Sequence, residues 1–312
     1  MIYDLFVLTV GLVILLLAGD ALVKGAVNLA LRLGIAPLIV SLTIVAFGTS
    51  APEMLVSVQA VLEDAPGLAI GNVVGSNTAN VLLVLGLPAL ISKLHTSEFE
   101  ARKSLNFMLL ATAIFIAAAF LGPITWVHGL IFLGVLGVFL GDAFRESRRP
   151  GQVTEEAVEG ADARMPGWKV GGYLLAGLIG LPVGADILVE GAVDVARDFG
   201  VREAVIGLTL VAIGTSLPEL ATTVAAAFRR TADVAIGNVI GSNMFNLLAI
   251  TGVASLVGPL PVDHGILRFD IWVMALSSAL LVPFVFFRVD IGKRVGSLLV
   301  ALYAAYILAI LI

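Results

Sequence analysis

The sequence predicts an all-α polytopic membrane protein whose ten transmembrane helices form two inverted five-helix repeats. Its mean hydropathy is +1.07, and 59% of its 312 residues are hydrophobic while only 13% are charged. Apolar runs of 18 or more residues are long enough to cross a bilayer as helices. The two halves are predicted by an internal repeat, in which motifs recur 166 positions later along the chain.

Ten apolar segments follow one another, over residues 3–31, 37–60, 68–91, 104–121, 124–143, 169–196, 203–228, 234–257, 267–288 and 293–311. The first segment lacks the basic start and the small-residue cleavage site of a signal peptide, so we expect it to be a membrane helix. The predicted domains are a first repeat over 1–143, a polar cytoplasmic linker over 144–168 and a second repeat over 169–312. The linker is too short to bury a core of its own.

The number of helices in each half determines how the halves are related. Because five is odd, the second half enters the membrane from the opposite side, which is the inverted-repeat arrangement of secondary transporters. With the linker in the cytoplasm, 15 of the 18 Lys and Arg residues lie at the inner face. The positive-inside rule then places both termini outside. We expect a multi-pass protein of a prokaryotic cell (inner) membrane.

Composition also excludes some kinds of partner and chemistry. The chain has no Cys, which excludes disulfides and thiolate metal sites. A net charge of −5 says little about partners in so apolar a chain. Nothing resembles a nucleic-acid-binding module, and no obligate protein partner is evident. The lipid bilayer is the expected environment.

The first motif puts carboxylates into apolar segments. Residues 41–54 match residues 207–220 at nine of fourteen positions, and Glu53 corresponds to Glu219. A carboxylate at bilayer depth costs at least about 2.5 to 3.5 kcal/mol, so it marks a functional site by default. None of the motif segments contains a Lys, Arg or His that could pair with it. Two such carboxylates in matching halves indicate a site between the halves, and a cation is its expected occupant.

The same motif contains a helix breaker beside several oxygen donors. Pro52 has no N–H for the carbonyl of Gly48, so we expect the helix to kink or break here. In hydrocarbon, a freed carbonyl is tolerated only where it faces protein, water or a ligand. This carbonyl, the hydroxyls of Thr49 and Ser50 and the carboxylate of Glu53 are hard oxygen donors. Such donors favour Ca²⁺, Mg²⁺ or Na⁺ over metals that prefer soft ligands.

A second motif runs along the next helix of each half. Residues 69–80 match residues 235–246 at nine of twelve positions. Asn72, Ser76 and Asn80 are spaced by four and form one polar stripe on an apolar helix. Such a stripe can hold helices together, and for Asn72 and its equivalent both interpretations stay open. We expect four members to complete a cage with the two Glu residues: Ser76, Asn80, Ser242 and Asn246.

Other charged residues are interpreted as structural. Asp20 and Lys24 are four apart, which is the spacing of an ordinary ion pair on a helix. Asp186 and Glu190 occupy the equivalent positions of the second half.

The four motifs resemble the alpha-repeats of the cation/Ca²⁺ exchanger superfamily, specifically its prokaryotic sodium/calcium exchanger branch. The patterns G-T-S-x-P-E and G-N-x-x-G-S-N-x-x-N occur once in each half, in the expected order. The resemblance implies a secondary antiporter, not an enzyme, that exports Ca²⁺ in exchange for Na⁺ by alternating access. It implies no cofactor, since Ca²⁺ and Na⁺ are the transported ions. The first and sixth helices would slide across the remaining bundle.

The resemblance also implies a role for each site residue. Around a central Ca²⁺ site it places Glu53, Glu219, Thr49 and Thr215. In flanking Na⁺ sites it places the backbone carbonyls of Ala46 and Ala212 and the side chains of Ser50, Ser76, Ser216 and Ser242. At the centre it places Asn80 and Asn246. Some members, including potassium-dependent exchangers, carry Asp in place of Asn246, so Asn in both halves disfavours K⁺ co-transport.

Energetics favour three Na⁺ for one Ca²⁺, with one net charge moved. Against a gradient of about 10,000-fold and a potential of about −100 mV, export costs about 5.5 kcal/mol for concentration and about 4.6 kcal/mol for charge. Each Na⁺ that enters down a gradient of about tenfold returns about 3.7 kcal/mol. Two Na⁺ therefore supply about 7.4 kcal/mol and three about 11, against a cost of about 10.

Two alternatives remain open at this level. A proton-coupled Ca²⁺/cation antiporter is the main one, because Glu residues can also carry H⁺. A cation channel fits less well, because channels need weak binding at several sites around a central pore. An enzyme is not expected, because no His or Lys lies near the buried Ser and Glu residues to act as a base.

Overall fold

The computed structural model describes residues 2–94, 101–147, 162, 164–198 and 214–311. The helices in these ranges are, in chain order, α1 (Ile2–Leu33), α2 (Pro37–Thr49), α3 (Ala51–Leu62), α4 (Pro66–Ile91), α5 (Arg102–Phe120), α6 (Trp126–Ser147), α7 (Gly167–Asp198), α8 (Leu217–Phe228), α9 (Ala232–Val257), α10 (Ile266–Phe286) and α11 (Lys293–Leu311).

Within the described ranges, eight helices are long and apolar enough to cross a membrane, or nine if α2 and α3 count as one bent span. The all-α membrane class is therefore confirmed. The predicted segment 203–228 is described only from residue 214, as the short helix α8, so ten spans stay a prediction. Helix α6 continues to Ser147 and α7 begins at Gly167, so both ends of the predicted linker are helical. Most of the linker lies outside the described residues.

Helices α4 and α9 form the centre of the protein. In their most apolar stretches, 72% of α4 and 89% of α9 is buried inside the protein, against 39% or less in each of the other six long helices. A helix that is apolar on every side needs such a central position. Because the second sequence motif lies on α4 and α9, its polar stripe is enclosed by protein instead of facing lipid.

The predicted helix break is present, and the central helices are also irregular. Helices α2 and α3 meet at Ser50 with a bend of 42°, and Pro52 lies in the first turn of α3, where a missing N–H is tolerated. Helix α4 contains a π-helical stretch over Asn80–Val84, and α9 contains one over Phe245–Ile250. Such stretches occur frequently at functional sites.

Helices α1 and α7 pack against each other in antiparallel fashion. A Cβ on Gly191 would lie 2.6 Å from the backbone nitrogen of Leu8, and a Cβ on Gly25 would lie 2.9 Å from that of Leu174. Only glycine allows backbones to approach this closely. The offset of 166 relates Gly25 to Gly191 and Leu8 to Leu174. Equivalent residues of the two halves therefore make equivalent contacts.

Short backbone bridges also join the two halves. Leu94 and Ile291 exchange two hydrogen bonds of 3.0 Å, and Ile124 and Leu260 exchange two of 2.9 Å. Leu260 lies 166 positions after Leu94, and Ile291 lies 167 positions after Ile124. The halves therefore contact each other reciprocally at these loops as well as along α1 and α7.

The expected Asp20–Lys24 ion pair is not the one observed. Asp20 Oδ1 accepts from Arg229 Nε at 2.6 Å, which joins α1 to the end of α8. Lys24 Nζ instead donates to the hydroxyl of Tyr173 on α7 at 3.2 Å. Asp20 and Lys24 therefore join α1 to other parts of the structure instead of pairing with each other.

Candidate ion-binding site

The two carboxylates occupy equivalent positions at helix starts. Glu53 lies in the first turn of α3 and Glu219 in the first turn of α8. The residues that precede these helices, Ser50 and Ser216, share one backbone conformation, with φ of −83° and −90° and ψ of 4° and 3°. The N-terminus of a helix carries partial positive charge, which stabilises a carboxylate there. Both Glu side chains are completely buried.

Residues from both halves surround Glu219. Its Oε1 atom accepts from Ser50 Oγ at 3.2 Å and from Ser242 Oγ at 3.4 Å. Thr49 Oγ1 lies 3.4 Å from Ser242 Oγ and 3.3 Å from the carbonyl of Ala46. The first-half segment around the break in α2–α3 is therefore in contact with both motifs of the second half.

A glycine makes this contact between the halves possible. A Cβ on Gly241 of α9 would lie 2.6 Å from the Cβ of Ala46 on α2. Any larger residue would separate the two helices. The glycine of the second motif thus brings Ser242 within reach of Thr49.

The site contains buried oxygen atoms that receive no hydrogen bond from the described residues. They are both oxygens of Glu53, Oε2 of Glu219, Oγ of Ser216 and the side-chain oxygens of Asn77, Asn80 and Asn246; Nδ2 of Asn246 is likewise without a partner there. An unpaired buried polar group is costly, and an unpaired buried charge more so. A concentration of such oxygens at one place is the donor set that a hard cation prefers.

The first asparagine of each second motif braces the helix that carries a carboxylate. Asn72 Nδ2 donates to the carbonyl of Glu53 at 3.1 Å and to Ser57 Oγ at 2.9 Å. Asn238 Nδ2 donates to the carbonyl of Glu219 at 3.3 Å and to the Oγ1 of the equivalent threonine, Thr223, at 3.3 Å. These hydrogen bonds support the interpretation that Asn72 and Asn238 hold helices together, and the helices held are those that carry the two carboxylates.

The electrostatics of the site come from two carboxylates and neutral oxygens. Glu53 lies close enough to Glu219 to experience the charge of that carboxylate. No Lys, Arg or His forms an ion pair with either of them in the part of the chain that the structure describes. The same part contains no group of three or more His, Cys, Asp or Glu side chains that could hold a metal. The arrangement suits a hard cation bound by two carboxylates supplemented by hydroxyl, carbonyl and amide oxygens.

The structure brings most of the predicted residues together. Buried side chains at the meeting of α2, α3, α4, α8 and α9 include Thr49, Ser50, Glu53, Ser76, Asn80, Ser216, Glu219, Ser242 and Asn246. Ala46 is buried beside them, and Thr215 lies on the segment just before α8. Ala212 lies outside the described residues. Sequence reasoning gave no role to four further polar residues here: Ser57, Thr223, Asn77 and Asn243. The repeat could have identified them, because the offset of 166 relates Ser57 to Thr223 and Asn77 to Asn243.

Comparisons with known proteins identify the family of the chain. The family model described as "Sodium/calcium exchanger protein" matches residues 3–143 and 169–312. The chain is 37% identical over 282 residues to the putative antiporter CaxA of Alkalimonas amylolytica, covering 89% of this chain and 88% of that protein. It is 31% identical over 343 residues to the sodium/calcium exchanger MaX1 of Methanosarcina acetivorans, covering 98% of each.

A solved structure has the same fold. The sodium-calcium exchanger NCX_Mj, soaked with 2.5 mM Na⁺ and 0.1 mM Ca²⁺, matches with a TM-score of 0.82 at 32% identity, covering 98% of each chain. These relatives are exchangers or antiporters and not enzymes. The family model covers both halves, and its matched residues include every site residue described above. The chain is therefore a membrane transporter that belongs to the sodium/calcium exchanger protein family.

Proposed function

We propose that this protein exports Ca²⁺ in exchange for Na⁺ by alternating access. The observation that carries the proposal is the pair of completely buried carboxylates, Glu53 and Glu219, one from each half. Three of their four oxygens receive no hydrogen bond from the described residues. Two carboxylates match the charge of one Ca²⁺, and a divalent cation offsets the cost of burying them.

The proposed ligands divide between the two ions but overlap. Ca²⁺, which takes six to eight oxygen ligands, binds at the centre to Glu53, Glu219, Thr49 and Thr215. Na⁺ binds in flanking sites to Ser50, Ser76, Ser216 and Ser242 and to the carbonyls of Ala46 and Ala212, with Asn80 and Asn246 between them. Because the sites share the carboxylates, binding of one ion disfavours the other, and this competition couples the two fluxes.

The proposed architecture is ten helices in two inverted repeats, over 1–143 and 169–312. It is supported by the reciprocal contacts of α1 with α7 and by the two loop bridges. Helices α1 and α7 form the unit that slides across the rest of the bundle. A Cβ on Gly19 of α1 would lie 2.8 Å from the carbonyl of Ala221 on α8, so small residues face each other where that sliding would occur.

An asymmetry between the halves supports alternating access. Ser50 donates to Glu219, whereas the equivalent Ser216 makes no hydrogen bond to Glu53, and its Oγ has no partner among the described residues. An inverted repeat that is open to one side must hold its halves in different conformations. In the opposite state we expect the roles to exchange, with Ser216 bound to Glu53 and Ser50 released.

The stoichiometry and orientation extend the proposal. Three Na⁺ for each Ca²⁺ moves one net charge inward and supplies about 11 kcal/mol against a cost of about 10 under the gradients considered above. Both termini lie on the outer side of the cell (inner) membrane, with the linker in the cytoplasm. The distribution of Lys and Arg supports this orientation.

The test is ⁴⁵Ca²⁺ uptake into proteoliposomes preloaded with Na⁺. Controls contain K⁺ or choline, and a fourth set carries an imposed pH gradient. Uptake only with internal Na⁺ supports the proposal. Uptake driven by the pH gradient with Na⁺ inert would instead favour the proton-coupled alternative on the same pair of carboxylates, and single-channel currents would favour a channel.

Electrogenicity needs a separate measurement. With chemical gradients balanced so that no net driving force remains, an imposed potential should produce Ca²⁺ flux whose direction follows the sign of the potential. Flux that is insensitive to membrane potential would exclude the movement of one net charge per cycle.

A further inference from the structure

A chain of three buried asparagines crosses from one half to the other beside the ion site. Asn243 Nδ2 on α9 donates to the backbone carbonyl of Asn77 on α4 at 3.4 Å. Asn80 Nδ2 on α4 donates to Asn243 Oδ1 at 3.1 Å. All three side chains are completely buried. Asn77 and Asn243 lie at the site, but the proposed function assigns neither of them to an ion.

The order of donors and acceptors determines which way each amide faces. A backbone carbonyl can only accept, so Asn243 must turn its NH₂ group towards Asn77. The oxygen of Asn243 then faces Asn80, which must present its own NH₂ group in return. Asn80 Oδ1 is thereby turned away from Asn243, and no described residue donates to it. The chain of amides leaves an oxygen of Asn80, and not an N–H, for a cation.

The repeat predicts a second arrangement of the same kind. The offset of 166 maps Asn243 onto Asn77 and Asn80 onto Asn246. Asn77 Nδ2 is occupied, since it donates to the carbonyl of Val73 at 2.9 Å. Asn77 Oδ1 and both amide atoms of Asn246 have no partner within the described residues. If Asn246 Nδ2 turned to Asn77 Oδ1, it would leave Asn246 Oδ1 for the ion.

We propose that Asn243 and Asn77 are positioning residues, which orient Asn80 and Asn246 so that an amide oxygen of each faces the transported cation. The proposal rests on the proposed function of the site. In this structure the Asn243–Asn80 pair is formed, and the Asn77–Asn246 pair forms when the second half closes around its ion. An amide turned the other way would present two N–H groups to the cation, so each positioning residue converts a repulsive contact into a ligand.

The test is Ca²⁺ binding to the purified full-length protein, measured by equilibrium dialysis with ⁴⁵Ca²⁺ in Na⁺-free buffer. Asn243→Leu keeps the size of the side chain but removes both hydrogen bonds. We expect it to weaken Ca²⁺ binding about tenfold in wild-type background and less than about twofold in an Asn80→Ala background. Thr78→Val is the matched control, because the buried Thr78 side chain on α4 bonds to the carbonyl of Val74 in its own helix, at 2.9 Å. It should bind Ca²⁺ as the wild type does.

A second background separates orientation from folding. Asn80→Asp presents an oxygen whichever way the group is turned, so Asn243→Leu should again cost less than about twofold there. If Asn243→Leu does not yield folded protein, Asn243→Ala takes its place in all three backgrounds. A similar loss in every background would indicate a structural role and overturn the positioning proposal. Unchanged binding in the wild-type background would also overturn it, but would leave the proposed function standing. Absence of saturable Ca²⁺ binding by the wild type would overturn the ion site itself.

Discussion

Replacement of Glu53 by Gln tests the charge of the ion site with little disturbance of the fold. The side chain is completely buried, and neither of its oxygens receives a hydrogen bond from the described residues. The substitution therefore keeps the shape and breaks no observed hydrogen bond. Leaving a buried charge without its partner costs about 3 to 5 kcal/mol. At about 1.4 kcal/mol per tenfold, Ca²⁺ affinity should fall by roughly two to three and a half orders of magnitude.

The two ions should be affected unequally. Coulomb energy is proportional to the charge of the ion, so the free-energy loss for Na⁺ should be about half that for Ca²⁺. The assay is Ca²⁺ and Na⁺ binding to the purified variant, followed by ⁴⁵Ca²⁺ uptake into Na⁺-loaded proteoliposomes, which should be abolished. In ion-free buffer the thermal stability should be unchanged or higher, because one buried charge is gone. A Ca²⁺ concentration that raises the melting temperature of the wild type should raise that of the variant much less.

Glu63→Gln is the matched control, because Glu63 is an exposed carboxylate at the end of the same helix, bonded to Gln59 at 2.8 Å. It should retain wild-type binding and transport. Two results would refute the reasoning for Glu53. One is wild-type Ca²⁺ affinity in Glu53→Gln, and the other is an equal loss of free energy for Na⁺ and Ca²⁺.

Three further predictions concern Asn246 at the centre of the site, the contact between α1 and α7, and the ion pair of Asp20 with Arg229. Asn246→Asp adds a third carboxylate at the centre, so Ca²⁺ affinity should rise with pH as it ionises; an unchanged pH profile would mean that Asn246 does not face the ion. Gly191→Ala should destabilise the protein by about 1 to 3 kcal/mol and slow exchange, since its Cβ would lie 2.6 Å from the backbone of α1; Gly172→Ala, with nothing within 4 Å of its Cβ, should not destabilise it in chemical unfolding. Asp20→Asn should cost only about 0 to 1 kcal/mol in the same measurement, because the Asp20 side chain is 50% exposed; a larger loss would show that its ion pair is more than a surface contact.

Much of the fold could be predicted because membrane helices are determined locally. Hydrocarbon accepts only backbone that satisfies its own hydrogen bonds, so each long apolar run has to be a helix. The break before Glu53 was predictable for the same reason, since Pro52 removes one bond of the helix. The π-helical stretches at Asn80 and Phe245 were not, because no local signal in these segments requires an extra residue in the turn.

Part of the candidate site was also predictable, because a carboxylate in an apolar segment needs a reason to be there. Glu53 and Glu219, with the hydroxyl residues beside them, were identified from two arguments: the free-energy cost of a carboxylate at bilayer depth and its recurrence in the internal repeat. The role of Asn72 and Asn238 could not be decided in this way. Their hydrogen bonds join residues 15 and 19 positions apart on neighbouring helices, and the packing of those helices determines which groups meet.

By itself, the sequence determined the membrane class and the repeat offset of 166 and predicted a site of hard oxygen donors, since each depends on residue types and spacing. Only the tertiary structure decided which of two equivalent side chains forms a hydrogen bond at the site. Ser50 and Ser216 have nearly the same local sequence and backbone, yet of these two only Ser50 bonds to a carboxylate. Asn243 rather than Asn77 completes its chain of amides. The physical reason is that two similar halves held in different conformations cannot make identical contacts. The local sequence does not determine which half makes which contact.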